Sequence, residues 1–168
     1  LLNEQKISSR TTIIATGSHP AEPQVEGLAA LGYLTNEDVF QLTDLPASLL
    51  IIGGGPVGVE LGQALARLRV QVTLIQGPER VLPREDPDVS ATITHVLESE
   101  GVRVVTNARV LTADQWGHKK RVTVKQGEKT LVFEADEILL AAGRQPNVDG
   151  LNLDAIGVNY TANGIKVD

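Results

Sequence analysis

Residues 53–58 read Gly-Gly-Gly-Pro-Val-Gly, and they join an apolar run to a helical pattern. The run before them, Leu49-Leu50-Ile51-Ile52, is continuous rather than alternating. That is the pattern of a strand buried on both faces in a parallel sheet. After them, Val57, Leu61, Ala64/Leu65 and Leu68 recur at the 3.6-residue helical period. Gly53-x-Gly55-x-x-Gly58 at a strand-to-helix junction carries a specific backbone requirement. Gly53 permits a tight turn out of the strand. Gly55 has no Cβ, so a pyrophosphate can approach the main chain. Gly58 lets the helix pack close to the strand, and Gly62 extends the small-residue face one turn on. The unpaired N–H groups and dipole at the helix start then favour an anion. A tight turn that binds nothing is the plain alternative. The register of strand, glycines, helix and second strand argues against it.

The flanking segments extend this unit. Val70 to Ile75 reads as a second strand, broken by Gly77-Pro78. Pro87 stands where a first helical turn begins, with Glu85 and Asp86 before it to suit the positive helix end. Val89, Ile93, Val96 and Leu97 form the expected apolar stripe of that helix, and Gly101 ends it. Val102 to Val105 is a third strand. The order is β-α-β-α-β, which right-handed crossovers turn into a parallel sheet with helices packed on its faces. The period then switches to two. Arg109–Ala113, Lys120–Lys125 and Thr130–Ala135 alternate around Gly117 and Gly127, as an antiparallel meander does. Glu137–Ala141 is a last buried strand, and the tail from Pro146 reads as loop. The expected class is α/β, a Rossmann-like parallel sheet plus a three-stranded antiparallel β-meander.

Upstream, Thr11–Ala15 is short and β-branched and ends at Thr16-Gly17-Ser18, so it reads as a buried strand meeting a turn. Residues 18–48 carry Pro20, Pro23 and Pro46 and read as a connecting segment, with a short helix near Asn36 to Phe40.

Composition narrows the function classes. A chain of 168 residues buries roughly two-thirds of its unfolded surface and needs no staple to fold. It has no cysteine, which excludes a disulfide framework, a Cys-ligated metal site and thiol chemistry within these residues. The 15 basic against 21 acidic residues, a net charge of −6, disfavour nucleic acid as the main partner. No apolar run approaches the ~20 residues of a membrane span and no signal peptide opens the sequence, so the expected compartment is cytoplasmic. His19, His95 and His118 lie far apart and show no metal-ligand spacing. Trp116, beside Gly117, reads as a hairpin-tip aromatic, with a partner contact as the sharper alternative. The run His118-Lys119-Lys120-Arg121 reads as a charged hairpin face.

The position that reads the adenosine ribose lies about 20 residues after a loop of this kind, at the end of the second strand. It falls near Gln76. A neutral amide accepts a ribose hydroxyl but does not repel a 2′-phosphate, and Arg80 and Arg84 lie just downstream. These residues leave NAD and NADP both open.

The stretch Leu50–Leu61 resembles the NAD(P) domain of the pyridine nucleotide–disulfide oxidoreductases, two-dinucleotide flavoproteins that include dihydrolipoamide dehydrogenases, glutathione reductases and mercuric reductases. Thr12-Ile13-Ile14-Ala15-Thr16-Gly17-Ser18 resembles the end of that family's FAD domain. Ala141-Ala142-Gly143-Arg144-Gln145-Pro146-Asn147 resembles the segment that closes its NAD(P) domain. Arg84-Glu85-Asp86-Pro87 leans towards the mercuric reductase and dihydrolipoamide dehydrogenase branches.

The resemblance implies three segments. Residues 1–47 are the end of an FAD-binding domain with its connection, 48–145 the NAD(P)-binding domain, and 146–168 the start of the return to the FAD domain. Gly53, Gly55, Pro56, Val57 and Gly58 would contact the dinucleotide phosphates. Glu60 would lie near the nicotinamide; as a plain acidic residue it would complement the helix dipole from the first turn. Val110, after Asn107-Ala108-Arg109, would flank the adenine, or serve only as meander core. Gly143 would approach the nicotinamide through its backbone, or simply turn the chain at a strand end. Thr16 and Gly17 would touch FAD in the intact protein. Gln76 departs from the acidic residue common in NAD-using members, and Gly77 lacks the arginine of several NADP-using ones.

The family's first glycine loop, its cysteine pair, its second FAD segment and its dimerisation domain are not among these residues, and the chain opens on Leu1. It therefore reads as a middle piece of a homodimeric parent, one that binds NAD(P) without turning over substrate alone. The alternatives are a standalone dinucleotide-binding module and a piece of a flavin reductase of the rubredoxin-reductase type.

Overall fold

The structure is a computed structural model, and it describes residues 7–22 and 24–167. In chain order the elements are β1 (Ser18–Pro20), α1 (Leu28–Leu31), a 3-10 turn at Asp38–Gln41, β2 (Ser48–Ile52), α2 (Pro56–Arg67), β3 (Gln71–Ile75) and α3 (Pro87–Ser99). They continue with β4 (Arg103–Val105), β5 (Ala108–Trp116), β6 (Lys119–Gln126), β7 (Lys129–Ala135) and β8 (Glu137–Leu140). Last come β9 (Arg144–Pro146), a 3-10 turn at Leu153–Ile156, β10 (Tyr160–Thr161) and β11 (Gly164–Ile165). Two compact units result: residues 20–143, and residues 7–19 together with 144–167.

The larger unit is built on a parallel sheet in the order β4-β3-β2-β8. Of its two inner strands, β2 is buried along its whole length. Alternate side chains of that strand feed two separate cores. Leu49 and Ile51 join Val72, Leu74 and Leu139 against Val59 and Leu65 of α2 and Leu97 of α3. Leu50 and Ile52 join Ile75, Ile138 and Leu140 against Val122 and Val124 of β6 and Phe133 of β7. Both long helices thus lie on one face, and the antiparallel meander β5-β6-β7 covers the other. The meander also makes the crossover from β4 to β8 that a third helix would otherwise make. Leu34 borders β8: its N–H donates to the Ile138 carbonyl, and the Leu140 N–H donates to its own, both at 2.8 Å.

The helical stripes differ in detail from their sequence pattern. On α2 the buried residues are Gly58, Val59, Gly62 and Leu65, whereas Leu68 lies past the helix end and is 60% exposed. Gly58 and Gly62 let the helix approach the sheet so closely that it turns its smallest residues inward. On α3 the buried residues are Ser90 and Leu97, and Val89 is exposed. Ser90 faces inward because its hydroxyl donates to the Leu82 carbonyl at 3.2 Å.

In the smaller unit, Thr11–Ala15 forms no strand, and Ile13 is 86% exposed. A β-branched run becomes a strand only with a neighbour to pair with, and among the described residues it has none. The tail is more ordered than loop: β10 and β11 form a hairpin, with Tyr160 opposite Ile165.

Candidate functional site

The three motif glycines behave in three different ways. Gly53 has φ +114°, and a side chain on it would strike the Ala141 carbonyl. Gly58 faces the Gly53 carbonyl oxygen, which occupies the place a Cβ would take. Gly55 has nothing within 4 Å of its Cβ position, so its face of the loop is open. It is also the N-cap of α2, where no side chain caps the helix, and Pro56 occupies the first helical position. The first N–H groups of such a helix have no carbonyl partner within it. An open glycine face beside uncapped N–H donors is a donor set suited to an anion, so the loop fits a pyrophosphate.

Gln76 lies at the end of β3 and is only 6% exposed. Its Oε1 accepts the Gly54 N–H at 2.7 Å, and its Nε2 donates to the Arg80 carbonyl at 3.4 Å. The Gly54 carbonyl in turn accepts the Leu82 N–H at 2.8 Å. Gly54 therefore has both backbone groups engaged, although the glycine motif leaves its position free. A Cβ there would come within 3.0 Å of Leu74 and 3.2 Å of Gln76. The run of three glycines was the available signal for its importance. Arg80 folds back on its own loop, donating from Nη2 to the Pro83 and Glu85 carbonyls at 3.3 and 3.4 Å. Arg84 is exposed.

Glu60 is exposed on α2 and lies beyond the first turn, which holds no acidic residue. The first-turn dipole reading therefore does not apply to it. Val110 is half-buried in β5, opposite Val124, and packs on the sheet–meander core. A bulge follows between Val110 and Thr112. Gly143 is exposed with φ +121°, and its carbonyl accepts the Ala21 N–H at 3.0 Å.

The smaller unit brings together the other two motifs. The Thr16 hydroxyl donates to the Asn147 carbonyl at 2.6 Å, and Asn147 Nδ2 donates to the Thr16 carbonyl at 2.8 Å. The Gly17 carbonyl accepts the Asn147 N–H at 3.0 Å, and Arg144 Nε donates to Ser18 Oγ at 2.8 Å. His19 also meets the Asn147 side chain. His95 is exposed on α3. Trp116 stacks against Arg121, whose guanidinium carbon lies 4.2 Å from the ring centre. Among the described residues no group of three acidic, His or Cys side chains is arranged to hold a metal ion, and no helix is long and apolar enough to cross a membrane.

Residues 2–168 match the family described as pyridine nucleotide-disulphide oxidoreductase. The chain belongs to this family. It is 39% identical to a mercuric reductase of Lysinibacillus sphaericus over 96% of its own length and 30% of that protein's. It is 37% identical to a dihydrolipoyl dehydrogenase of Bacillus subtilis (strain 168) over 93% of its length and 34% of that protein's. Among solved structures it resembles the HOCl-induced flavoprotein disulfide reductase RclA from Escherichia coli, with a TM-score of 0.79 and 29% identity. That likeness covers 92% of this chain and 35% of the other. The chain thus spans about a third of the length of the relatives it matches. These relatives are oxidoreductases, and members of the family use FAD and NAD(P)H.

Proposed function

We propose that residues 48–145 bind NADH or NADPH within a larger FAD-dependent oxidoreductase. In that protein the nicotinamide supplies a hydride to the flavin, and the electrons go on to a disulfide or metal acceptor. The observation that carries the reading is the open face of Gly55 at the uncapped start of α2. Gly53, Gly55, Pro56, Val57 and Gly58 form the phosphate cradle, with Gly53 and Gly58 shaping it and Gly55 admitting the ligand. Gln76 closes the adenosine end, Val110 flanks the adenine, and Glu60 and Gly143 lie toward the nicotinamide. Thr16 and Gly17 belong to the FAD site.

The same reading makes the parent a cytoplasmic homodimer, with this chain flanked by FAD-binding and dimerisation domains. By themselves these residues bind the dinucleotide without turning over a substrate, since the family's first FAD glycine loop and its cysteine pair are not among them. Calorimetric titration of NADH and of NADPH into the chain tests the reading. Saturable binding of either one supports it, and the absence of both overturns it.

A further inference from the structure

We propose that Gln76 is a positioning residue for the glycine loop, acting on the pyrophosphate cradle through the Gly54 backbone. The proposal rests on the dinucleotide reading above and assigns one residue a part in it.

A buried amide is retained only where its polar atoms find partners. Both ends of the Gln76 amide find backbone: Oε1 takes the Gly54 N–H, and Nε2 reaches the Arg80 carbonyl. Leu82 takes the other side of Gly54 through its N–H, and the Leu82 carbonyl is held in turn by the Ser90 hydroxyl and the Glu85 N–H. Residue 54 is thus fastened at two points to the segment that leads from β3 into α3. The peptide joining Gly54 to Gly55 is planar and trans, so its C=O and N–H point in opposite directions. With the Gly54 carbonyl directed at Leu82, the Gly55 N–H is directed away from that segment. Orientation at Gly55, the open position of the loop, is therefore inherited from Gly54. A carboxylate at residue 76 would supply the same acceptor with a negative charge close to the incoming phosphates. The amide supplies it without that charge.

Gln76→Met keeps the length of the side chain and removes the acceptor, and Gln76→Glu keeps an acceptor. Titrations of NADH and NADPH into wild type and both variants are read beside amide hydrogen exchange at Gly54. For Gln76→Met, Gly54 should lose protection, and both affinities should fall by about tenfold with their ratio unchanged. Gln76→Glu should keep Gly54 protected and bind NADH more tightly than Gln76→Met does, though less tightly than wild type because of the added charge. A Gln76→Met variant that is unchanged, or whose cofactor ratio changes while Gly54 stays protected, overturns the proposal while leaving the dinucleotide reading in place. If Gln76→Met fails to fold, a Gln76→Glu variant that is folded and protected at Gly54 yet does not bind NADH overturns it. A wild type that binds neither cofactor overturns both.

Discussion

The carbonyl oxygen of Gly53 occupies the place that a side chain on Gly58 would need. The turn that leaves β2 and the first turn of α2 therefore meet through backbone on one side and a bare Cα on the other. Gly58→Ala forces the two apart. Urea denaturation should show a loss of about 1–3 kcal/mol, the usual cost of overpacking.

Gly55→Val makes the opposite case. The position has extended backbone, φ −77° and ψ −175°, and free space around its Cβ. A branched residue is at ease in that conformation. Stability should change by no more than about 0.5 kcal/mol. Calorimetry should nonetheless show NADH and NADPH binding abolished, because the new side chain fills the ligand's approach. Wild-type affinity in this variant would move the phosphate site elsewhere.

Asp136 ties the start of β8 to the start of β2. Its Oδ2 accepts the Ser48 N–H at 2.8 Å and the Ser48 hydroxyl at 2.6 Å, and its own N–H donates to Ser48 Oγ at 3.0 Å. These bonds hold its carboxyl below the usual range, the Ser48 hydroxyl foremost, and Lys119 adds to them. A carboxyl lowered by folding adds stability above its unfolded value, about 4, and that stability is lost as pH falls through the folded value. Asp136→Ala should cost about 1–3 kcal/mol at neutral pH. Its stability should also decline less steeply than wild type below about pH 4. Thermal melts across an acid pH series measure both effects.

Lys120 is mostly buried and serves two partners, the Gly32 carbonyl at 2.9 Å and the Glu137 carboxylate. Lys120→Met leaves Glu137 without its cation in a half-buried setting. Chemical denaturation should show a loss of about 1–3 kcal/mol. Adding Glu137→Gln should recover part of that loss, since the two residues are coupled.

The parts legible in the sequence were those that repeat a period or break one. The unbroken apolar run at Leu49–Ile52 became a strand buried on both faces, and Gly117 and Gly127 became the turns of the meander. On α2 the glycine spacing shows the close-packing face, with Gly58 and Gly62 buried, whereas the hydrophobic period carries the stripe too far, to Leu68, which lies past the helix end and is exposed. Thr11–Ala15 has the composition of a strand, but composition does not show whether a neighbour exists. The Gln76–Gly54 bond joins a side chain to a backbone group 22 residues earlier, and no local spacing encodes that tie.

Leu34, one residue of an otherwise irregular segment, gives and receives a hydrogen bond along β8. A bare sheet border is a template on which another chain can add a strand. With Leu34 in place, the β8 side no longer offers that template along Ile138 to Leu140. The opposite border, β4, runs only from Arg103 to Val105 and opens with an exposed arginine, two features that discourage a foreign strand. The parallel sheet is guarded against edge-to-edge aggregation by a cover on one side and by brevity and charge on the other.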